Sequence, residues 1–178
     1  MSRTYSAFDY PKDIGYYQTN NVVLFFDIVG FTRNTTNKDM KRVIQIIDGA
    51  IEDVLFHKHG FIWNRKGIPN HMILIPSGDG YGIAFNPDKV NDGLVLSIAK
   101  EILIEITEGN NIKVRIGIAK GNNIVHLDKN GKMNLFGYGI NLAHRVMSKA
   151  LENQILIHER LCKELLVTKK IVDLNEVK

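Results

Sequence analysis

The stretch VVLFFDIVGFT, residues 22–32, decides the fold of this chain. Its first five residues are β-branched, aromatic or leucine, which predicts a strand at about 22–27 that is closed by Asp27. Asp79 likewise follows the apolar run MILIPSG (72–78) and precedes GYGIAF (80–85). A carboxylate beside so much apolar sequence is costly to bury unless it is neutralised, protonated or bound to a cation. Two such carboxylates at strand ends predict one shared site for hard metal ions; the alternative is two ordinary turn residues.

Length and composition limit the classes of protein to be considered. With 178 residues, the chain is expected to form one domain that buries roughly 70% of its unfolded surface. The net charge of +4 suits a polyanionic small molecule, and the sequence lacks the long basic blocks that favour nucleic acid. The single cysteine, Cys162, excludes an intramolecular disulfide and fits a reducing compartment. The first residues show no signal-peptide pattern and no apolar run is long enough to cross a bilayer, so we expect a cytoplasmic chain without a membrane span.

Apolar periodicity predicts the elements of a mixed fold. Residues 1–20 hold four of the six tyrosines without a clear period, which indicates an irregular N-terminal arm before a domain at 21–178. Three-four spacing predicts helices at about 39–58, at 88–107, from after the Gly137/Gly139 pair to about Leu151, and at 158–166. Strands are predicted at about 61–65, on both sides of 78–80, and at 112–119, 122–127, 155–157 and 170–174. Because strands and helices mix without strict βαβ repetition, we expect an α+β sheet with helices covering one face.

Two further segments carry side chains or backbone suited to phosphate chemistry. After Asp27, the segment 28–32 contains a glycine that lets backbone N–H groups approach a phosphate, although it is not a Walker-type loop. The segment LFGYGINLAHR (135–145) places Asn141 and Arg145 four residues apart on one helix face. Arginine offers a fork of donors to phosphoryl oxygens, and asparagine orients a sugar oxygen. Taken alone, the pair also fits a solvated polar face near a helix start.

These segments together resemble the signature of class III nucleotidyl cyclases. The matching pieces are FFDIVGFT (25–32), GDG (78–80), VRIGIAKG (114–121) and Gly137 through Asn141 to Arg145, and they occur in the family's order. The resemblance covers roughly residues 20–160. It implies a ferredoxin-like core with a mixed, mainly antiparallel sheet. It also implies a head-to-tail homodimer with two composite sites across the interface.

The resemblance implies a role for each site residue. Asp27 and Asp79, with the backbone carbonyl of Ile28, would hold two Mg²⁺ or Mn²⁺ ions in one subunit. Asn141 and Arg145, the catalytic residues, would come from the other subunit. Backbone N–H groups of the loop would bind the β and γ phosphates of the nucleotide, from Val29, Gly30, Phe31 and Thr32. Phe25 lies on the same strand face as Asp27, and would either line the nucleotide site or pack in the core.

The chain departs from the family pattern at the two positions that recognise the nucleotide base in the family. Ile75 stands where adenylate cyclases carry lysine and guanylate cyclases glutamate, and Tyr138 stands where adenylate cyclases usually carry aspartate. A bound purine would lose its hydrogen bonds to both polar side chains, which weakens binding by roughly 1–3 kcal/mol for each bond lost. The tyrosine side chain would also fill the volume that the second ring of a purine needs. The arrangement resembles the bacterial pyrimidine cyclases of Pycsar antiphage systems. It implies a uridylate cyclase that makes cyclic UMP from UTP for a separate effector protein.

Several alternatives stay open at this point. A cytidylate cyclase is the nearest one, followed by an adenylate cyclase with an unusual pocket and by a nucleotide-binding dimerisation module without catalysis. Arg115 is predicted to support the sheet or a carboxylate, and His144 to lie at a surface or interface. Three lysines are candidates for the terminal phosphate without a spacing that selects one of them: Lys120, Lys169 and Lys170.

Overall fold

The computed structural model describes residues 16–31, 37–61, 71–128 and 132–167. It contains six strands and four α-helices within these ranges. The strands are β1 (Tyr16–Ile28), β2 (Met72–Pro76), β3 (Gly80–Phe85), β4 (Val114–Leu127), β5 (Met133–Gly137) and β6 (Gln154–Ile157). The helices are α1 (Asn37–Ile51), which continues as a π-helical segment at Glu52–Lys58, then α2 (Asp92–Thr107), α3 (Tyr138–Met147) and α4 (Glu159–Val167).

The strands form one sheet with β1 and β4 at its centre. The strand order is β2-β3-β1-β4-β5, all antiparallel, and β6 pairs in parallel with the first half of β4. A sheet of mostly antiparallel strand pairs with one parallel pair is typical of α+β folds. The predicted fold class, a mainly antiparallel sheet with helices packed on it, is confirmed. No helix in these ranges is long and apolar enough to cross a membrane.

Helices cover both faces of the sheet, so the prediction that they cover one face is wrong. Val22, Leu24 and Phe26 point into a core shared with α1, α2 and α4. Val23 and Phe25 point to the opposite face and pack with residues of α3. The unbroken apolar run in β1 is the signal for this arrangement, because a strand with one solvated face alternates between apolar and polar residues.

Several element boundaries differ from the predicted ones. Strand β1 begins at Tyr16, where it pairs with His126, so residues 16–20 of the predicted arm lie in the sheet. The two predicted strands at 112–119 and 122–127 are one strand, because Gly121 continues the ladder opposite Asn21. Helix α3 ends at Met147 rather than near Leu151. Residues 1–15, the predicted strand at 170–174 and most of the one at 61–65 lie outside the described residues.

Candidate active site

Strand pairing brings the two predicted metal ligands to one edge of the sheet. Asp27, next to last in β1, stands opposite Gly80 of β3. The N–H of Ile28 donates to the carbonyl of Asp79 across 3.1 Å. Gly80 permits this approach, because a Cβ there would lie 1.9 Å from the carbonyl oxygen of Phe26. The local register therefore holds the chain at Asp79 against the end of β1.

Arg115 of β4 neutralises Asp27. The two residues stand opposite each other in the β1–β4 ladder. The guanidinium donates from Nε to Oδ1 at 2.6 Å and from Nη2 to Oδ2 at 2.8 Å. The side chains are 33% exposed for Arg115 and 12% for Asp27. This hydrogen bonding raises the pKa of Arg115 against the opposing effect of burial, and the negative charges of Asp27 and Asp79 add to the rise. The prediction that Arg115 supports a carboxylate is confirmed.

The donor set at this edge suits a hard divalent cation. Two carboxylates and nearby backbone carbonyls, including that of Ile28, are the oxygen ligands that Mg²⁺ and Mn²⁺ take, usually with phosphate oxygens of the substrate. Asp79 is partly exposed and its carboxylate has no hydrogen-bond partner among the described residues. Those residues also contain no group of three or more His, Cys, Asp or Glu side chains suited to a metal. A metal ion at this edge would thus be bound by Asp27, by Asp79 and by phosphate oxygens of the substrate.

One N–H group of the loop after β1 is already hydrogen-bonded within the chain. Gly30 has a φ of +78°, in the left-handed region that glycine adopts readily. The Val29 N–H donates to the carbonyl of Lys113 across 2.8 Å, which contradicts the prediction that it binds phosphate. The N–H groups of Gly30 and Phe31 stay candidates, and Thr32 lies outside the described residues.

Helix α3 presents the predicted catalytic residues on its exposed face. Leu142, Ala143 and Met147 are buried against the sheet, whereas Asn141 and Arg145 are exposed. Tyr138, 58% exposed, lies on the same face, and Cζ of Arg145 lies 5.9 Å from the centre of its ring. Within the described ranges no hydrogen bond or ion pair joins Asn141 or Arg145 to the aspartates. The site residues of one chain therefore form two separate groups.

The predicted base-reading position lies beside an aromatic pair. Ile75, Gly82 and Phe25 stand in one row across β2, β3 and β1, on the sheet face that carries α3. The Phe25 ring lies over Gly82, where a Cβ would be 2.9 Å from Cε2 of that ring. The exposed His144 meets Phe25 edge-on, with ring centroids 5.1 Å apart and planes at 88°. Phe25 is buried, which agrees with core packing, and the surroundings of Ile75 are apolar.

Two polar residues gain a clearer role from the structure than from the sequence. The Lys120 ammonium binds Asp92 at 2.7 Å and Glu164 at 3.4 Å. Because these partners belong to α2 and α4, Lys120 lies on the face opposite Asp27, which argues against a contact with substrate phosphate. Asn123 contacts the first turn of α3, and only the unusual Asn-Asn dipeptide inside an apolar strand could have drawn attention to it. Lys169 and Lys170 lie outside the described residues.

Comparison with known proteins identifies the family. Residues 89–177, half of the chain, match the family model of the adenylate and guanylate cyclase catalytic domain. The chain therefore belongs to the family of adenylate and guanylate cyclase catalytic domains, which confirms the resemblance seen in its motifs. No curated protein sequence matches it.

Solved structures of the family share the fold at low sequence identity. The guanylyl cyclase Cya2 is similar with a TM-score of 0.67 and 20% identity, covering 84% of this chain and 80% of that one. The guanylate cyclase domain of RhGC from Catenaria anguillulae, in complex with GTP, has a TM-score of 0.62 at 21% identity and 84% coverage of both chains. The adenylyl cyclase CyaB from P. aeruginosa has a TM-score of 0.62 at 16% identity, covering 86% of this chain and 84% of its own.

Proposed function

We propose that this cyclase domain converts UTP into 3′,5′-cyclic UMP and diphosphate. The observation that carries the proposal is the apolar row at Ile75, with Tyr138 on the helix face that bears Asn141 and Arg145. A purine-reading site must present polar groups to the base, since unpaired polar groups of a bound base weaken binding. Ile75 offers none, and the ring of Phe25 fills the space above Gly82 beside it. A single-ring base fits this reduced site better than adenine or guanine.

The chain's own residues supply positioning and electrostatic stabilisation. Asp27 and Asp79 would hold two divalent cations, Mg²⁺ or Mn²⁺, which when bound lower the pKa of the ribose 3′-hydroxyl and neutralise the triphosphate. Asn141 orients the ribose so that its 3′-oxygen faces the α-phosphorus in line with the leaving diphosphate. Arg145 stabilises the charge that develops on the α-phosphoryl oxygens. The N–H groups of Gly30 and Phe31 bind the terminal phosphates.

The active site is completed by a second copy of the chain. Asn141 and Arg145 are exposed and make no hydrogen bond or ion pair with Asp27 or Asp79 among the described residues. In a head-to-tail homodimer, the exposed face of α3 from one subunit would lie over the aspartates of the other. A two-fold axis then gives two equal sites, each built from both subunits. The proposal therefore includes a dimer that is required for activity.

The test is to offer UTP, CTP, ATP and GTP separately with Mn²⁺ and to identify products by mass spectrometry. Cyclic UMP is the expected major product. Cyclic CMP would transfer the proposal to the cytidylate alternative, because Ile75 does not distinguish the two pyrimidines, and cyclic AMP or cyclic GMP as the major product would refute pyrimidine specificity. Asp79→Ala should abolish turnover and keep the fold, whereas Asp88→Ala, in an exposed turn, should leave turnover unchanged.

The resemblance to Pycsar cyclases extends the proposal to second-messenger synthesis in antiphage defence. The cyclic pyrimidine nucleotide would act on a separate cyclic-nucleotide-binding effector protein. Plaque counts on cells that carry the cyclase with its effector should rise when Asp79→Ala replaces the wild type. Equal plaque counts for the two would contradict a role in defence and leave the enzymatic proposal intact.

A further inference from the structure

Two asparagines are buried on the apolar sheet face that carries α3. Asn21 of β1 is 0% exposed and Asn123 of β4 is 2% exposed. Alternation along the strands places them on the side of Val23 and Val125, which pack with α3. Two amides in such a place are costly unless their polar atoms are hydrogen-bonded. Their bonds therefore indicate what the pair does.

The Asn123 amide is held in one orientation by three partners. Its Nδ2 donates to Oδ1 of Asn21 at 2.8 Å and to the carbonyl of Gly121 at 3.2 Å. Its Oδ1 accepts the N–H of Ile140 at 3.0 Å. A reversed amide would place Nδ2 against that N–H and Oδ1 against the Gly121 carbonyl. The orientation is thus fixed by backbone groups on both sides, and Asn21 supports it.

The bond to Ile140 replaces a missing helix cap. The N-cap residue of α3 is Gly137, which has no side chain to accept the free N–H groups of the first turn. Ile140 is the third residue after Gly137, and its N–H is the one that an N-cap side chain commonly binds. Asn123, from a neighbouring strand, accepts this N–H instead. The start of α3 is therefore tied to β4 rather than capped from within its own segment.

Close backbone packing leaves the helix start little freedom to shift. A Cβ at Gly139 would lie 2.4 Å from Nδ2 of Asn123 and 2.9 Å from the carbonyl oxygen of Gly121. A Cβ at Gly121 would lie 2.8 Å from Cα of Gly139. The first turn of α3 thus sits directly on the Asn123 amide. Asn141 follows Ile140 in the chain, and Arg145 lies one helical turn further on.

We propose that Asn123, supported by Asn21, is a positioning residue that fixes α3 so that Asn141 and Arg145 reach the nucleotide bound by the partner subunit. This inference rests on the proposed function. An apolar pair of similar size would fill the same space, since replacing both members of a hydrogen-bonded pair is often nearly neutral for stability. The amides therefore contribute the placement of the helix start more than the stability of the sheet.

The test compares Asn123→Leu with Ile102→Val, a control in the core on the other face of the sheet. Asn123→Leu leaves the Ile140 N–H without its acceptor, and we expect kcat to fall by about 5- to 20-fold with KM changed less than about twofold. Ile102→Val should lower the midpoint of thermal unfolding and leave kcat unchanged. A second variant, Asn21→Leu, should remain folded, because Nδ2 of Asn21 is buried without a partner among the described residues. It should reduce kcat by about 2- to 5-fold.

Amide hydrogen exchange separates positioning from a general loss of packing. In Asn123→Leu the Ile140 N–H should exchange faster than in the wild type because it has lost its acceptor, whereas in Ile102→Val its exchange should stay as in the wild type. Equal kcat for Asn123→Leu and Ile102→Val, or unchanged exchange at Ile140 in Asn123→Leu, would overturn the inference. If the wild type forms no cyclic product, the proposed function fails, and amide hydrogen exchange in residues 139–141 decides the inference. Faster exchange in Asn123→Leu than in Ile102→Val supports it, and unchanged exchange refutes it.

Discussion

Replacing Arg115 by methionine tests whether Arg115 stabilises the Asp27 carboxylate at the position where a metal ion would bind. Methionine keeps an unbranched side chain and removes the positive charge. The carboxylate of Asp27, bound at both oxygens by Arg115 in the structure, then loses its charge partner. It also faces the negative charge of Asp79, which is close enough to affect the pKa of Arg115. The substitution therefore leaves an uncompensated carboxylate at the edge of the core.

The expected loss of stability follows from the burial of the pair. Removing one partner of a fully buried ion pair costs about 3–5 kcal/mol, because the remaining charge is unpaired. Arg115 is 33% exposed, so solvent screens part of the interaction and we expect a loss of about 2–3 kcal/mol. For a chain of 178 residues this lowers the midpoint of thermal unfolding by roughly 4–12 °C.

Thermal unfolding in EDTA and in Mn²⁺ separates this loss from ordinary damage. A cation that binds only the folded state adds about 2.7 kcal/mol at a concentration 100 times its Kd. Because a divalent ion would take over the role of Arg115, Mn²⁺ should stabilise Arg115→Met more than the wild type. The control Lys113→Met breaks an ion pair with Glu152 whose side chains are 53% and 52% exposed. It should lose less than about 1 kcal/mol and respond to Mn²⁺ as the wild type does.

Two results would refute this reasoning. An Arg115→Met variant that unfolds at the wild-type temperature in EDTA would show that Asp27 does not need the guanidinium. A variant that is destabilised but gains no more from Mn²⁺ than the wild type would show that the ion does not take over the role of Arg115 at Asp27.

Two further predictions concern the packing of α3 and a half-buried tyrosine. Gly117→Ala should cost about 2–3 kcal/mol and most of the cyclase activity, because its Cβ would lie 2.1 Å from the Met147 nitrogen of α3; wild-type unfolding and activity would contradict this contact. Burial, with a 2.8 Å hydrogen bond to Asp48, raises the pKa of Tyr81 from 10.0 to about 12. The stability that Tyr81 contributes is thus complete below pH 10.0 and is lost as the pH rises through about 12. In urea unfolding, the difference between the wild type and Tyr81→Phe should shrink over that interval, and a constant difference would show that Tyr81 titrates normally.

The sequence was sufficient where a feature depends on neighbours along the chain. The strand that ends at Asp27, the helix that presents Asn141 and Arg145 on one face, and the glycine turn at Asp79 are local patterns, and the structure contains all three. The α+β class follows from the same patterns, because the period of apolar residues changes from two to 3.6 along the chain.

Contacts between distant residues could not be derived in this way. The partner of Asp27 is 88 positions away, and the partner of Asn21 is 102 positions away. Both pairs depend on the register of β1 against β4, which no local pattern specifies. The unbroken apolar run of β1 is consistent with burial on both faces, yet the mixture of strands and helices led to the prediction that helices cover one face, and no local pattern tells which helix covers which side. The position of α3 on the sheet could therefore not be predicted, although the helix itself and the shared face of Asn141 and Arg145 could.

The position of α3 connects the fold with the proposed chemistry. Asp27 and Arg115 point to the same side of the sheet as Phe25, and α3 packs on that side. The other side is covered by α1, α2 and α4. A second copy of the chain that docks on the α3 side would therefore meet the aspartate edge and the exposed face of α3 together. Two-fold symmetry would then place the α3 face of each subunit over the aspartate edge of the other. Because Gly117 and Asn123 set where α3 lies on the sheet, they would also set how far Arg145 reaches into the partner's site.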